Sequence, residues 1–238
     1  MNPTVARLTL RGLVGRRRGV LLLAVPAVLL VISVIARATS TDPRSLTTTI
    51  LGQLALGTLV PILGLVVGTG VIATEIDDGS IVYLLAKPLP RGQIVTTKLF
   101  VAILTTWVFS AVPTLAAGLV LVGTQDGIAA GYAVGALASG AVYSAVFLLL
   151  GVVTRHAVVA GLAYALVWES LIGNYVPGAK TLSIQQWGLS VAEKVAAEGA
   201  LDATVSLGAA IPMLIIVAAG ATALASVRLA GFTMTAEE

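Results

Sequence analysis

The residues best suited to chemistry in this chain cluster in one stretch, E-I-D-D-G-S-I-V-Y-L-L-A-K-P, from Glu75 to Pro88. Glu75, Asp77 and Asp78 put three carboxylates within four residues, but no nucleophile–base constellation accompanies them. The chemistry they offer is therefore charge recognition rather than bond-making. Asp77 and Asp78 stand where a helix would begin, and negative charge there complements free N–H groups and the helix dipole. Gly79 and Ser80 follow. Ile81, Leu84 and Leu85 then fall at i, i+3, i+4 and make one apolar face. Lys87 suits a helix C-terminus and Pro88 stops the helix. The segment predicts a short helix shaped to be gripped by something.

The rest of the chain is poor in catalytic groups. His156, the single histidine, lies beside Arg155 and reads as a turn residue at the membrane interface. There is no H-E-x-x-H, and one histidine cannot build a histidine-rich metal site. With no cysteine, disulfides and thiolate sites are excluded. Gly68-Thr69-Gly70 is a fragment inside an apolar run, and no G-x-x-x-x-G-K-[ST] occurs, so the chain carries no P-loop. These absences argue against an enzyme and against a cofactor or metal bound by this chain. Glu169 is the only acidic residue inside an apolar run. Acidic groups in a membrane span default to a functional reading, here substrate or proton handling. Its place near the outer end of its run, beside Trp168, favours a headgroup-level position with a neutral or hydrated carboxyl.

The elements that must position these residues are membrane helices. Hydrophobic residues make up 58% of the 238 and charged residues 11%, against roughly 25% charged in soluble domains. Mean hydropathy is +1.02. About 20 apolar helical residues cross the hydrocarbon core. Six runs qualify or nearly so: Val20–Ala36, Ile50–Ala73, Leu99–Val122, Ile128–Val153, Ala157–Ile172 and Leu207–Val227, of which the first and fifth are short.

Placing both termini in the cytosol assigns ten basic residues to the inner side: Arg7, Arg11, Arg16, Arg17, Arg18, Lys87, Arg91, Lys98, Arg155 and Arg228. Four remain outside, Arg37, Arg44, Lys180 and Lys194. That is a positive-inside bias, and it explains the pI near 9.4 better than nucleic acid does. The alternative of a signal peptide cleaved near Ala36-Arg37-Ala38 suits the run poorly. Its apolar stretch is 17 residues, longer than the usual 7–15.

Residues 1–19 predict an interfacial helix. Arg7, Arg11 and Arg18 share one stripe and Val5, Leu8 and Leu13 the other, although Gly12 and Gly15 weaken it toward a frayed basic tail. Outside, Gly173–Ser206 is the one sizeable loop. Ser183 and Gln186 form a capping box, and Ile184, Trp187, Val191 and Val195 predict an amphipathic helix suited to the membrane interface. That helix either gates an exit path or is a surface lid. Gly127, Gly131, Gly135 and Ser139 recur every fourth residue, as do Gly64 and Gly68. This spacing permits close helix approach, within the subunit or across a dimer seam. No inverted internal repeat is evident, which counts against a secondary transporter.

Glu75 to Lys98 as a whole resembles the E-x-x-x-G-[ST]-hydrophobic-L-L-x-x-P-[VIL]-x-R-x-x-[ILV]-x-x-x-K pattern of type-2 ABC exporter permeases, close to the copper-enzyme-maturation permeases. Glu75, Gly79, Ser80, Leu84, Leu85, Pro88, Arg91 and Lys98 match position by position. The departure is at Asp77 and Asp78, where the family often has Glu or Arg. The resemblance implies one all-α permease domain over residues 1–238, with six transmembrane helices, an N-terminal interfacial helix and a cytosolic coupling helix within residues 74–98. It also implies a multi-pass protein of the cell membrane. Two permeases, as homodimer or heterodimer, would form the path, and two cytosolic ATPase subunits would bind ATP and Mg. Leu84 and Leu85 would fill an apolar groove on the ATPase while Glu75, Asp77, Asp78, Lys87 and Arg91 fix register.

The function expected is ATP-driven export of an amphipathic or hydrophobic compound, with Glu169, Gln53, Tyr143 and Tyr164 as candidate path residues. A membrane anchor recruiting a cytosolic partner, and an ion-coupled carrier using Glu169, are the alternatives.

Overall fold

The computed structural model describes residue 9 and residues 16–40, 43–72, 91–172 and 178–231. Among these every regular element is helical. α1 is Arg16–Thr39. α2 runs as Pro43–Thr49, a π-helical stretch Ile50–Leu59 and an α-helical stretch Val60–Gly70. α3 is Arg91–Val122, α4 is Ile128–Val153, and α5 joins Ala157–Ala163 to a π-helical Tyr164–Ile172. α6 is Ile184–Val195 and α7 is Leu207–Ala230.

Among the described residues five helices are long and apolar enough to cross a membrane: Gly19–Thr39, Leu46–Gly70, Gly92–Val122, Gln125–Val153 and Leu207–Ala230. Ala157–Glu169 is a shorter apolar helix. The sequence predicts six crossings. The fifth apolar run forms the expected helix, but its 16 residues, 157–172, rise only about 24 Å at 1.5 Å each. That falls short of a hydrocarbon core about 30 Å thick.

α4 is the axis of the bundle. α2 lies along it in the same direction, because Gly64 and Gly68 give their backbone to Tyr143 and Phe147. A Cβ on Gly64 would stand 2.7 Å from the Tyr143 Cβ, and one on Gly68 2.9 Å from the Phe147 Cβ. α3 runs the opposite way: Gly118 meets Ala129, and the Trp107 indole donates to the Leu137 carbonyl at 2.8 Å. Arg37, ending α1, donates to the Leu121 carbonyl near the end of α3 at 3.3 Å. The start of α1 is therefore at the same end of the bundle as the start of α3. Pro61 follows the π-helical stretch of α2, where the Val60 amide still donates five residues back to Ala55. A proline has no N–H to contribute, so the change of register occurs where one donor is absent anyway.

The glycine stripe of α4 has an unexpected partner. A Cβ on Gly131 would lie 2.6 Å from the Ala192 carbonyl, and one on Gly135 2.6 Å from the Gly188 carbonyl. α6 thus lies antiparallel in the groove of α4, backbone against backbone, and the stripe is an intra-chain seam.

This corrects the expectation of a helix along the membrane surface. Trp187 is buried rather than interfacial, and its indole donates to the Thr181 carbonyl at 2.8 Å. Gln185, Gln186 and Ser190, the polar side of the predicted amphipathic wheel, are buried too. They tolerate burial because most of their polar atoms find partners: Gln185 donates to the Gly52 carbonyl at 2.9 Å and Ser190 to that of Val205 at 2.7 Å. From Val195, beside Gly127 at one end of α4, the 12 residues of α6 carry the chain about 18 Å into the bundle.

Gly131→Leu is expected to lower the midpoint of thermal unfolding in detergent, since overpacking of this kind costs about 1–3 kcal/mol and the obstacle here is the α6 backbone. An unchanged midpoint would contradict the α4–α6 seam.

Candidate functional site

The inward end of α6 is where the buried polar groups converge. Ser183 is its N-cap, in extended conformation, and its hydroxyl accepts from the Gln186 amide at 3.3 Å. The Gln186 side chain does not return the bond; its Oε1 is buried without a hydrogen-bond partner. The second half of the cap comes from Glu169, on the π-helical part of α5. Its Oε1 accepts from the Ile184 amide at 3.0 Å and from the Tyr164 hydroxyl at 3.0 Å. Its Oε2 accepts from the Ser183 hydroxyl.

Glu169 is 1% exposed, so of the expected neutral or hydrated carboxyl the hydrated form is not what is found. Three donors and the positive end of the α6 dipole take the place of water. Tyr143, on α4, is fully buried, stacked on Phe147 with ring centroids 5.8 Å apart. Its hydroxyl faces Glu169 and the backbone of Gln185, yet reaches no hydrogen-bond partner. Tyr164 meets Phe147 edge-on at 6.2 Å.

Of the four candidate path residues, three therefore come together: Glu169, Tyr143 and Tyr164. Gln53 does not join them. It is exposed, whereas its neighbour Gly52 is buried and gives its carbonyl to Gln185. Near Gln53, Leu54 and Thr58 border an apolar groove between α1 and α2, lined also by Val25, Val28 and Leu29.

Sequence reading missed the partnership of Glu169 with Ser183. A lone acid in an apolar run, needing donors, and a serine cap with a helix start to satisfy were both visible; the contact between them was not. No group of three or more His, Cys, Asp or Glu converges among the described residues.

A second buried ionisable side chain lies at the opposite end of α2. Lys98, in the second turn of α3, is fully buried, and its ammonium donates to the Val71 carbonyl just past the end of α2 at 2.6 Å. A cation on the last carbonyls of a helix satisfies orphan acceptors and suits the negative end of the dipole. This bond closes the base of the segment between residues 72 and 91. Glu75, Asp77, Asp78, Gly79, Ser80, Leu84, Leu85, Lys87 and Pro88 lie outside the described residues; Arg91 opens α3. His156 is exposed in the turn between α4 and α5, at the same end as Lys98.

The model of the ABC-2 family transporter protein matches residues 20–180, from α1 through the start of the segment before α6. The chain belongs to the ABC-2 transporter family. No match is found among the curated proteins. The ABC-2 permease is thus a membrane subunit of an ABC transporter and a transport component rather than a catalyst, and its family associates with ABC ATPase subunits. In this ABC-2 permease two buried ionisable side chains, Glu169 and Lys98, each hold the end of a neighbouring helix.

Lys98→Met is expected to lower the stability of the detergent-solubilised permease by about 1–3 kcal/mol, the cost of a buried acceptor left without its donor. It would be read as a lower unfolding midpoint; wild-type stability would contradict the clamp.

Proposed function

We propose that this chain is one of two permease subunits that together line an export path for an amphipathic or hydrophobic compound, driven by two cytosolic ATPase subunits that bind ATP and Mg. The observation that carries the reading is the Lys98–Val71 clamp, which ties α2 to α3 at the base of the Glu75–Pro88 segment. A push on that segment is delivered to the two helices together rather than dissipated in a slack loop. In this reading Asp77, Asp78, Lys87 and Arg91 set the register on the ATPase and Leu84 and Leu85 enter its groove. The resemblance to copper-enzyme-maturation permeases is a proposal at the same level.

The chain makes six crossings in this account, with both termini on the cytosolic face of the cell membrane. The short α5 covers most of the fifth crossing and α6 completes it. The ten-to-four basic bias supports that orientation. The path is bordered by α2 and by the Glu169–Tyr143–Tyr164 cluster. Gln53 is exposed on α2, a position that suits a path or a second permease better than lipid. An ion-coupled carrier is disfavoured because the sequence shows no inverted internal repeat.

Replacing Leu84 and Leu85 together by Asp tests the reading. Two carboxylates buried in an apolar groove without counter-charges are strongly unfavourable, whereas membrane insertion depends on the spans. The double variant is expected to reach the membrane at normal levels, to lose the co-purifying ATPase and to lose ATP-driven transport in proteoliposomes. Retention of the ATPase with normal transport would reject the segment as the coupling element.

A further inference from the structure

α6 stops inside the protein, and the first amides of a helix have no partners within the helix. On the outer surface water would supply them. Here the acceptors are the Ser183 hydroxyl and Glu169, a residue of another helix. Glu169 also accepts a hydrogen bond from the Ser183 hydroxyl, so one carboxyl binds both the N-cap side chain and the first amide of α6.

Two neighbours are left unsatisfied in this arrangement. The Tyr143 hydroxyl and the Gln186 Oε1 are buried beside the cap without hydrogen-bond partners. A helix that served only as packing would gain by satisfying them. The α4–α6 contact is also of a particular kind: Gly131 and Gly135 face the carbonyls of Ala192 and Gly188. Backbone lies on backbone there, without interlocked large side chains, which is a contact that small shear displacements preserve.

We infer that Glu169 is the positioning residue for α6 in the transport cycle: its carboxyl holds the helix in its inserted position, and passage through the outer half of the path requires the α6 N-terminus to leave it. The inference rests on the transport reading above, but its first test does not need transport. α6 moves along the glycine groove of α4 when the cap is released, and returns when Ser183 and Ile184 meet the carboxyl again. Tyr143 and Gln186 supply the polar groups that exchange partners as it moves. Tyr164 steadies the carboxyl from its own helix.

The chain has no native cysteine, so single reporters are clean. Ser190→Cys, buried on α6, reports the helix; Ser110→Cys, buried on α3, reports the bundle. The assay is the maleimide labelling rate of the permease–ATPase complex in lipid nanodiscs. Without nucleotide, Glu169→Ala is expected to speed labelling of the α6 reporter about tenfold, the equivalent of a lost N-cap, and to leave the α3 reporter unchanged. Glu169→Gln, which keeps an oxygen for the Ile184 amide, is expected to give an intermediate rate. ATP turnover in the otherwise wild-type protein is expected to speed the α6 reporter alone.

An unchanged α6 rate in Glu169→Ala overturns the inference. So does a parallel rise of both reporters, which would make Glu169 a general structural prop. So does a wild-type α6 rate indifferent to ATP in a complex that transports, which would make the cap static. If the complex carries out no ATP-driven transport while the nucleotide-free contrast holds, the transport reading is what fails.

Discussion

The constraint on which this structure depends is that a helix cannot end inside a membrane protein with bare amides. Nothing in hydrocarbon replaces the missing acceptors, and each unsatisfied group costs several kcal/mol. α6 breaks the simple rule by ending about halfway into the bundle, and Glu169 makes that end tenable. The consequences spread outward. The glycines of α4 are obligatory because α6 shares its groove at backbone distance. Gln185 reaches the Gly52 carbonyl across the π-helical stretch of α2, and a Cβ on Gly57 would stand 2.8 Å from its amide nitrogen.

Lys98 answers the same constraint at the opposite end with the opposite sign. An ammonium holds the C-terminus of α2 and a carboxyl holds the N-terminus of α6. Both match the helix dipole, worth up to about 2 kcal/mol in partly buried geometries. Burying either polar group would be costly alone; each is tolerable because backbone groups that also lacked partners become its partners. The two ends have different consequences. The Lys98 end makes a rigid base for the segment that faces the ATPase in our account. The Glu169 end fixes the N-terminus of α6, the helix that we infer must shift for passage through the outer half of the path.

Much of this was legible from residues alone. The apolar runs gave the helices, the four-residue glycine spacing predicted close approach, and Ser183 was readable as an N-cap. What escaped was the third dimension of particular side chains. The wheel of Ile184, Trp187, Val191 and Val195 is amphipathic, and amphipathicity does not distinguish a water-facing polar side from one buried among backbone carbonyls. Glu169 stood out as the one acid in an apolar run, yet its nearness to Trp168 suggested a membrane surface. Two of its three donors lie 14 and 15 residues further on, beyond any local pattern. Gln53 and Tyr143 read alike as polar groups in spans. Helix rotation, which hydropathy does not encode, separates them. Lys98 was visible as the last residue of a motif, but its hold on Val71 follows only from the packing of α3 on α2.

The most direct measurement of the central claim is a double-mutant cycle between Glu169→Ala and Ser183→Ala, read by reversible unfolding of the permease in mixed micelles. If one carboxyl caps α6 through Ser183, the two losses are not additive, and the coupling is on the order of 1 kcal/mol, within the range of contacting pairs. Additive losses, within the few tenths of a kcal/mol seen for independent sites, would mean that Glu169 and the α6 N-terminus do not depend on one another, and the account would fall.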